Sequence, residues 1–310
     1  MKNTITYLIG FLVMSLTVVT QASEWQSYKD IPNLRVSTSE DKAWLADIEK
    51  GMISYDFQDR DFLIHEGDLT IDSNFIATGN LVVKGNLTIN GMYDDMEGLS
   101  RNFRTGYGFT IVLGDMNVEN IYSWGSLDVN GDLYASGLIL AIYNDFYFGV
   151  TGNVNAKGII VQDKLAEFNR GEIGFAFLDQ LYNEDRDSDL LENGFRQLLP
   201  KFISDPEFRD AIDPDYATLA SQPVDSDGLR QHLMDGKPVL RETPAPPELP
   251  IWIATAISME TSKADLLDLI GKDPLVDQLI AARYDLPRKV KKALKKTEDP
   301  IVLKWLSYDM

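Results

Sequence analysis

The sequence predicts a mixed fold: a short parallel β-solenoid with an N-terminal capping helix and a C-terminal all-α region containing short helical repeats. Three observations lead there. A six-residue phrase headed by glycine recurs between residues 63 and 165, as in "GNLVVKGNLTING" at 79–91. The phrase stops after Asp163 and helical spacing takes over. The last part of the chain then repeats a proline-led phrase. The domain order that follows is 1–22 signal peptide, 23–62 N-terminal helical cap, 63–165 solenoid, 166–245 helical region with a Pro-rich linker, and 246–310 helical repeats.

Bulk properties narrow the function before any motif does. A chain of 310 residues that is 44% hydrophobic has material for a packed core. Its net charge of −19, from 29 basic and 48 acidic residues, argues against nucleic acid as a partner, because binding it depends on cations that neutralise phosphates. There is no cysteine, which removes disulfides, thiolate metal sites, a cysteine nucleophile and a lipid-modified N-terminal cysteine. With His65 and His232 as the only histidines, a His-rich metal site is not expected. No cofactor is expected either.

At the N-terminus, Lys2 precedes an apolar run from Ile5 to Val19, and Thr20-Gln21-Ala22 puts small residues where a signal peptidase reads. At about 1.5 Å per residue the run is shorter than the ~30 Å hydrocarbon core. Cleavage after Ala22 and a periplasmic or extracellular location are the expectation, with an uncleaved anchor as the alternative. No later stretch is apolar enough to span a membrane. Residues 39–52, "SEDKAWLADIEKGM", offer Ser39 as a cap and set Trp44, Leu45, Ile48 and Met52 along one helical face. A solenoid end exposes apolar side chains and unpaired strand edges, so this helix is expected to cover it.

The repeated phrase reads small residue, Asn/Asp/Ser, apolar, any, apolar, any. It starts at Gly67, Ser73, Gly79, Gly85, Gly114, Gly125, Gly131 and Gly152. Its apolar slots are Leu69/Ile71, Phe75/Ala77, Leu81/Val83, Leu87/Ile89, Met116/Val118, Leu127/Val129, Leu133/Ala135 and Val154/Ala156. Outward slots include Asp68, Thr70, Asp72, Asn86, Thr88, Asn90, Asp115, Asn117, Glu119, Ser126, Asp128 and Asn130. Alternation with period two means a strand with a dry and a wet face. Glycine with an adjacent Asn or Asp suits a corner, through positive φ and a side-chain bond to the turn backbone. Three sides make a coil of eighteen residues, the spacing from Gly67 to Gly85, and there is room for about five coils. Residues 92–107 are expected as an expelled loop, and 137–149, too apolar for a surface loop, as a wider coil. An antiparallel meander is the competing fold, disfavoured because hairpin turns prefer Asn-Gly over the Gly-Asn order written here.

The phrases "NLVVKGNLTING" and "GSLDVNGDLYASG" resemble those of bactofilin-like, polymer-forming β-helix proteins. That resemblance implies a small triangular parallel β-helix that binds no nucleotide and assembles end to end. The export signal and helical flanks depart from the family pattern, and they lead us to expect a monomer or small oligomer, with the helices after Asp163 closing the second end through Phe168, Phe175 and Phe177.

Residues 174–240 read as helices with polar breaks, and the four prolines of "RETPAPPELP" at 241–250 as an extended linker. "KDPLVDQLIAAR" at 272–283 then matches "EDPIVLKWLSYD" at 298–309, and "LPIWIATAIS" at 249–258 is a third version. These phrases resemble leucine-rich-repeat-variant or HEAT-type repeats, which implies a packing or binding surface, with proline starting each second helix.

Candidate chemistry is sparse. Asp185, Asp187 and Asp189 alternate as in calcium loops, but Leu190 and Arg196 stand where such a loop needs glycine and glutamate; a solvated acidic loop is expected. In "LPRKVKKALKK" at 286–296, six cations share one segment with Leu286, Val290 and Leu294. The apolar stripe is expected to dock on the preceding repeat, the alternative being a helix lying on anionic lipid. Asp94, Asp95 and Glu97, with Arg101 and Arg104, form the one cluster worth weighing for a polysaccharide-cleaving enzyme. The overall expectation is an exported, non-enzymatic scaffold that binds another protein or an envelope component; the alternative is a carbohydrate-active enzyme or lectin.

Overall fold

A computed structural model describes residues 25–48, 60–96, 108–142, 146–178, 188–204, 212–213, 218–219 and 224–308. Residues 63–178 form a triangular parallel β-solenoid of six turns. Face 1 stacks Leu63–His65 (β3), Leu81–Val83 (β6), Phe109–Val112 (β8), Ser126–Val129 (β10) and the starts of Tyr147–Gln162 (β12) and Leu165–Ile173 (β13). Face 2 stacks Leu69–Ile71 (β4) and the starts of Leu87–Asp94 (β7), Met116–Ser123 (β9) and Leu133–Ile142 (β11), then the middle of β12. Face 3 runs from Asn74–Ile76 (β5) through the ends of β7, β9, β11 and β12 to Ala176–Leu178 (β14). Every one of these pairs is parallel, which rules out the meander. The eighteen-residue coil appears directly in the register Leu69↔Leu87.

All the apolar slots of the hexad lie in one interior cluster. The corners work differently from the sequence expectation. Of the glycines that head the phrase, only Gly67 has positive φ (80°). Gly85, Gly114, Gly125, Gly131 and Gly152 are glycine because coils stack closely there, whereas a Cβ on Gly79 would meet only the Tyr28 ring at 3.5 Å. The N–H of Gly114, Gly131 and Gly152 donates to the carbonyl of Gly85, Gly114 and Gly131, at 3.0, 3.0 and 3.1 Å. Beside this runs a side-chain ladder. Asp68 Oδ1 accepts the Asn86 N–H (2.8 Å), Asn86 Oδ1 that of Asp115 (2.8 Å), Asp115 Oδ1 that of Asp132 (2.9 Å), and Asp132 Oδ1 that of Asn153 (2.7 Å). A Cβ on Gly114, Gly131 or Gly152 would overlap the ladder oxygen of the coil below. The polar residue after Gly67, Gly85, Gly114 and Gly131 therefore satisfies the next coil, not its own turn.

Three boundaries move. The solenoid continues past residue 165, since β13 and β14 complete a sixth coil. Met92 to Asp94 belong to β7 and not to an expelled loop; residues 97–107 lie outside the described residues. The N-terminal end is closed by residues 25–36, with Tyr28 and Ile31 in the interior cluster and the Tyr28 ring edge-on to Phe75 at 5.4 Å. Trp25–Gln26 (β1) extends face 3, and Arg35–Val36 (β2) pairs antiparallel with β3.

Helix α1 (Ser39–Ile48), expected at that end, instead lies on the outside of face 1. Leu45 joins Phe62, Ile64, Val82, Phe109, Ile111 and Phe146 in a separate cluster, with Trp44 packed against it. Its cap is Thr38, one residue before Ser39: Thr38 Oγ1 accepts the Asp41 N–H (3.2 Å) and Asp41 Oδ2 accepts the Thr38 N–H (2.8 Å). Met52 and the Ile48 side chain lie outside what is described.

The C-terminal helices cover face 3. After α2 (Ser188–Gln197), α3 (Lys201–Ser204) and α4 (Ser226–Met234) come α5 (Leu249–Ile257), α6 (Lys263–Leu269), α7 (Pro274–Ala281), α8 (Arg288–Leu294) and α9 (Pro300–Ser307). Helices α5, α7 and α9 stack in one row and α6 and α8 in another. Each member of the first row has proline in its first turn. Asp273 and Asp299 cap α7 and α9 by accepting the N–H of Leu275 (2.9 Å) and Ile301 (2.8 Å). One continuous core joins the outer side of face 3 (Met92, Tyr122, Leu138, Leu140, Ile160) to the helices as far as Trp305.

Residues 241–248 are not a free linker within this arrangement. Arg241 pairs with Asp273 (2.7 Å), and Ala245 exchanges hydrogen bonds with Arg196. Of the three expected end plugs, only Phe168 packs on the interior; Phe175 and Phe177 point into the helical side, Phe177 edge-on to Phe195 at 5.4 Å. Leu190 of α2 meets the interior cluster at the far end.

Candidate binding face

With face 1 under α1 and face 3 under the helices, face 2 keeps a polar outer surface. The register aligns Thr70, Thr88, Asn117, Tyr134 and Asn155 in one outward row. Neighbouring coils are about 4.8 Å apart, so the row presents hydroxyl, amide and phenol groups at a regular step. Glu119, Ser136 and Lys157 line the same shallow groove.

Tyr134 is the one aromatic in it, 42% exposed, and its hydroxyl donates to Asp132 Oδ2 at 3.0 Å. The Asn153 N–H, and after it this phenol bond, holds the Asp132 carboxyl below its usual range, while Asp132 pushes the phenol up. The ring is thereby anchored to the corner ladder. Such a row can hydrogen-bond and stack.

Of the carboxylates weighed for catalysis, the two described ones are closed off. Asp94 and Asp95 are fully buried. Asp94 Oδ2 accepts from Arg230 Nε of α4 (2.7 Å), beside a bond from Tyr122 OH to Asp227 (3.1 Å). Asp95 Oδ1 accepts the N–H of Trp124 (2.5 Å) and Gly125 (3.0 Å). Glu97, Arg101 and Arg104 lie outside the described residues, as do Asp185 and Asp187; Asp189 sits in the first turn of α2.

Sequence reasoning missed the buried ammonium of Lys164. Its Nζ donates to the carbonyls of Ser123 (3.1 Å), Trp124 (3.2 Å), Gly125 (2.5 Å) and Ile142 (3.3 Å). Burial lowers the Lys164 pKa and raises that of Asp95, and their mutual attraction opposes both shifts. The signal was present: a lone lysine follows "GIIVQD", where the hexad has already lapsed.

The basic segment forms α8. Val290 and Leu294 are fully buried, and the helix packs on α6 and α7, so the apolar stripe docks on its neighbours as expected. Among the described residues no helix is long and apolar enough to cross a membrane. Compared with known proteins, the chain matches no family model, no curated protein and no solved structure.

Proposed function

We propose that the protein is a non-enzymatic scaffold of the cell envelope, exported through residues 1–22, which holds an extended partner, another protein or an envelope component, along face 2. The observation that carries this reading is the asymmetry of the solenoid. Face 3 is apolar outside and covered by the C-terminal helices, and face 1 carries an apolar cluster under α1, while face 2 is polar outside and uncovered among the described residues. A long flat row of amides and hydroxyls suits many weak, repeated contacts. The burial of Asp94 and Asp95 weighs against the hydrolytic alternative at that cluster.

The test is site-specific photo-crosslinking in the native cell. A photoreactive residue in place of Asn117 should give a discrete adduct that the same residue in place of Lys263, exposed on α6, does not. Equal labelling from both sites would remove face 2 as the binding surface. Release of new sugar ends from purified envelope polysaccharide would replace the scaffold with an enzyme.

A further inference from the structure

Helix α8 breaks the electrostatic rules that its neighbours obey. Arg288, Lys289, Lys291, Lys292, Lys295 and Lys296 lie within nine residues without an acid among them; removing these six cations would take the chain from −19 to −25. The first turn carries no acidic residue and Pro287 gives no side-chain cap, whereas α7 and α9 begin on capping aspartates. Cations at a helix N-terminus oppose the macrodipole. Arg288/Lys292 is a like-charge pair four apart on the helix, destabilising, and Lys295 and Lys296 add two more cations directly after it. Because the helix is pinned by Val290 and Leu294, five of these cations (Arg288, Lys289, Lys292, Lys295 and Lys296) are held exposed. The last-turn lysines complement the macrodipole and the cluster offsets part of the acidic chain, but neither effect calls for five exposed cations on one short segment.

We propose that the exposed side of α8 docks the protein on an anionic lipid bilayer. Charge complementarity supplies the attraction, and the choice of cation favours a bilayer over a shaped partner. The cations are lysines with a single arginine; lysine is a mobile point charge suited to a diffuse anionic surface, whereas protein interfaces favour arginine and deplete lysine. The apolar side of the helix is already used in packing, so the contact is with headgroups and requires no insertion. The acidic remainder of the molecule is screened beyond about 8 Å at physiological salt, so it does not cancel a local basic contact. The proposal is independent of what face 2 binds.

Co-sedimentation of the full chain with phosphatidylcholine vesicles, with and without phosphatidylglycerol, tests it. The quantity read is the increment that depends on phosphatidylglycerol, which cancels any contribution from the apolar residues 5–19. That increment should fall as salt rises. Replacing Lys289, Lys292 and Lys296 by Gln should reduce it about fivefold per lysine, roughly a hundredfold together. The corresponding Lys→Arg triple variant and Lys263→Gln should retain it, with melting curves showing that all variants fold. An unchanged increment in the Gln variant would overturn the proposal. So would tighter binding to duplex nucleic acid, or a self-association of the chain that is lost in the Gln variant while vesicle binding persists.

Discussion

Asp128 occupies an outward slot of face 1 yet is only 7% exposed. It lies in register between Ile111 and Gly149, with the Tyr147 ring folded over Gly149. Burial pushes its carboxyl up to about 6. A carboxyl raised in the folded state binds its proton more tightly there than in the unfolded chain, so it adds stability at low pH that is lost as pH rises through about 6. Asp128→Asn should therefore raise stability by about 3 kcal/mol above pH ~7 and change little near pH ~4. Melting curves that shift equally at both pH values would show that the carboxyl is not held this way. Ser126 and Asp128 were legible as outward but not as buried. Alternation reports which side of a strand a residue takes; it does not report whether another part of the chain, here Tyr147 of the next coil, covers that side.

At the scale of the element, the hexad was the most legible part of the chain, because each short strand carries its own dry and wet faces in sequence. Leu87→Asp should cost several kcal/mol as an unpaired buried carboxylate. Asn86→Asp keeps the oxygen that accepts the Asp115 N–H and should be nearly neutral. The reason for the glycines was less legible, since it depends on the coil stacked beneath.

That reason can be separated from backbone freedom. Gly67 has positive φ with open space around it, whereas Gly114 has an ordinary φ and would press a side chain into Asn86 and the Gly85 backbone. Gly67→Asn should be tolerated, because asparagine visits the left-handed region readily. Gly114→Asn should lower the melting temperature sharply or prevent folding. Equal tolerance at both positions would mean that the corners do not pack as closely as the ladder requires.

At the scale of the whole molecule, the sequence separates what the fold joins. The solenoid and the C-terminal helices appear as distinct patterns, yet they share a core that runs from Met92 to Trp305, pinned by the Asp94–Arg230 pair at 2.7 Å. The doubly apolar strands "LVV" at 81–83 and "GLILAI" at 137–142 were the available hint, for a strand apolar on both sides must be covered on both. Where a cover sits is a long-range fact, which is why α1 was expected at an end and lies on a side.

The difference bears on assembly, because an uncovered end templates the next molecule whereas an uncovered side does not present strand edges. Removing residues up to 36 takes away Tyr28, Ile31 and the strands that pair with β5 and β3, and should give concentration-dependent self-association in sedimentation velocity. Leu45→Ala, beneath α1, should cost about 3 kcal/mol through a cavity and leave the intact chain a monomer or small oligomer. A truncated chain that stays monomeric would show that the first coil is closed by something other than Tyr28 and Ile31. Filaments formed by the intact chain would show that its ends are open.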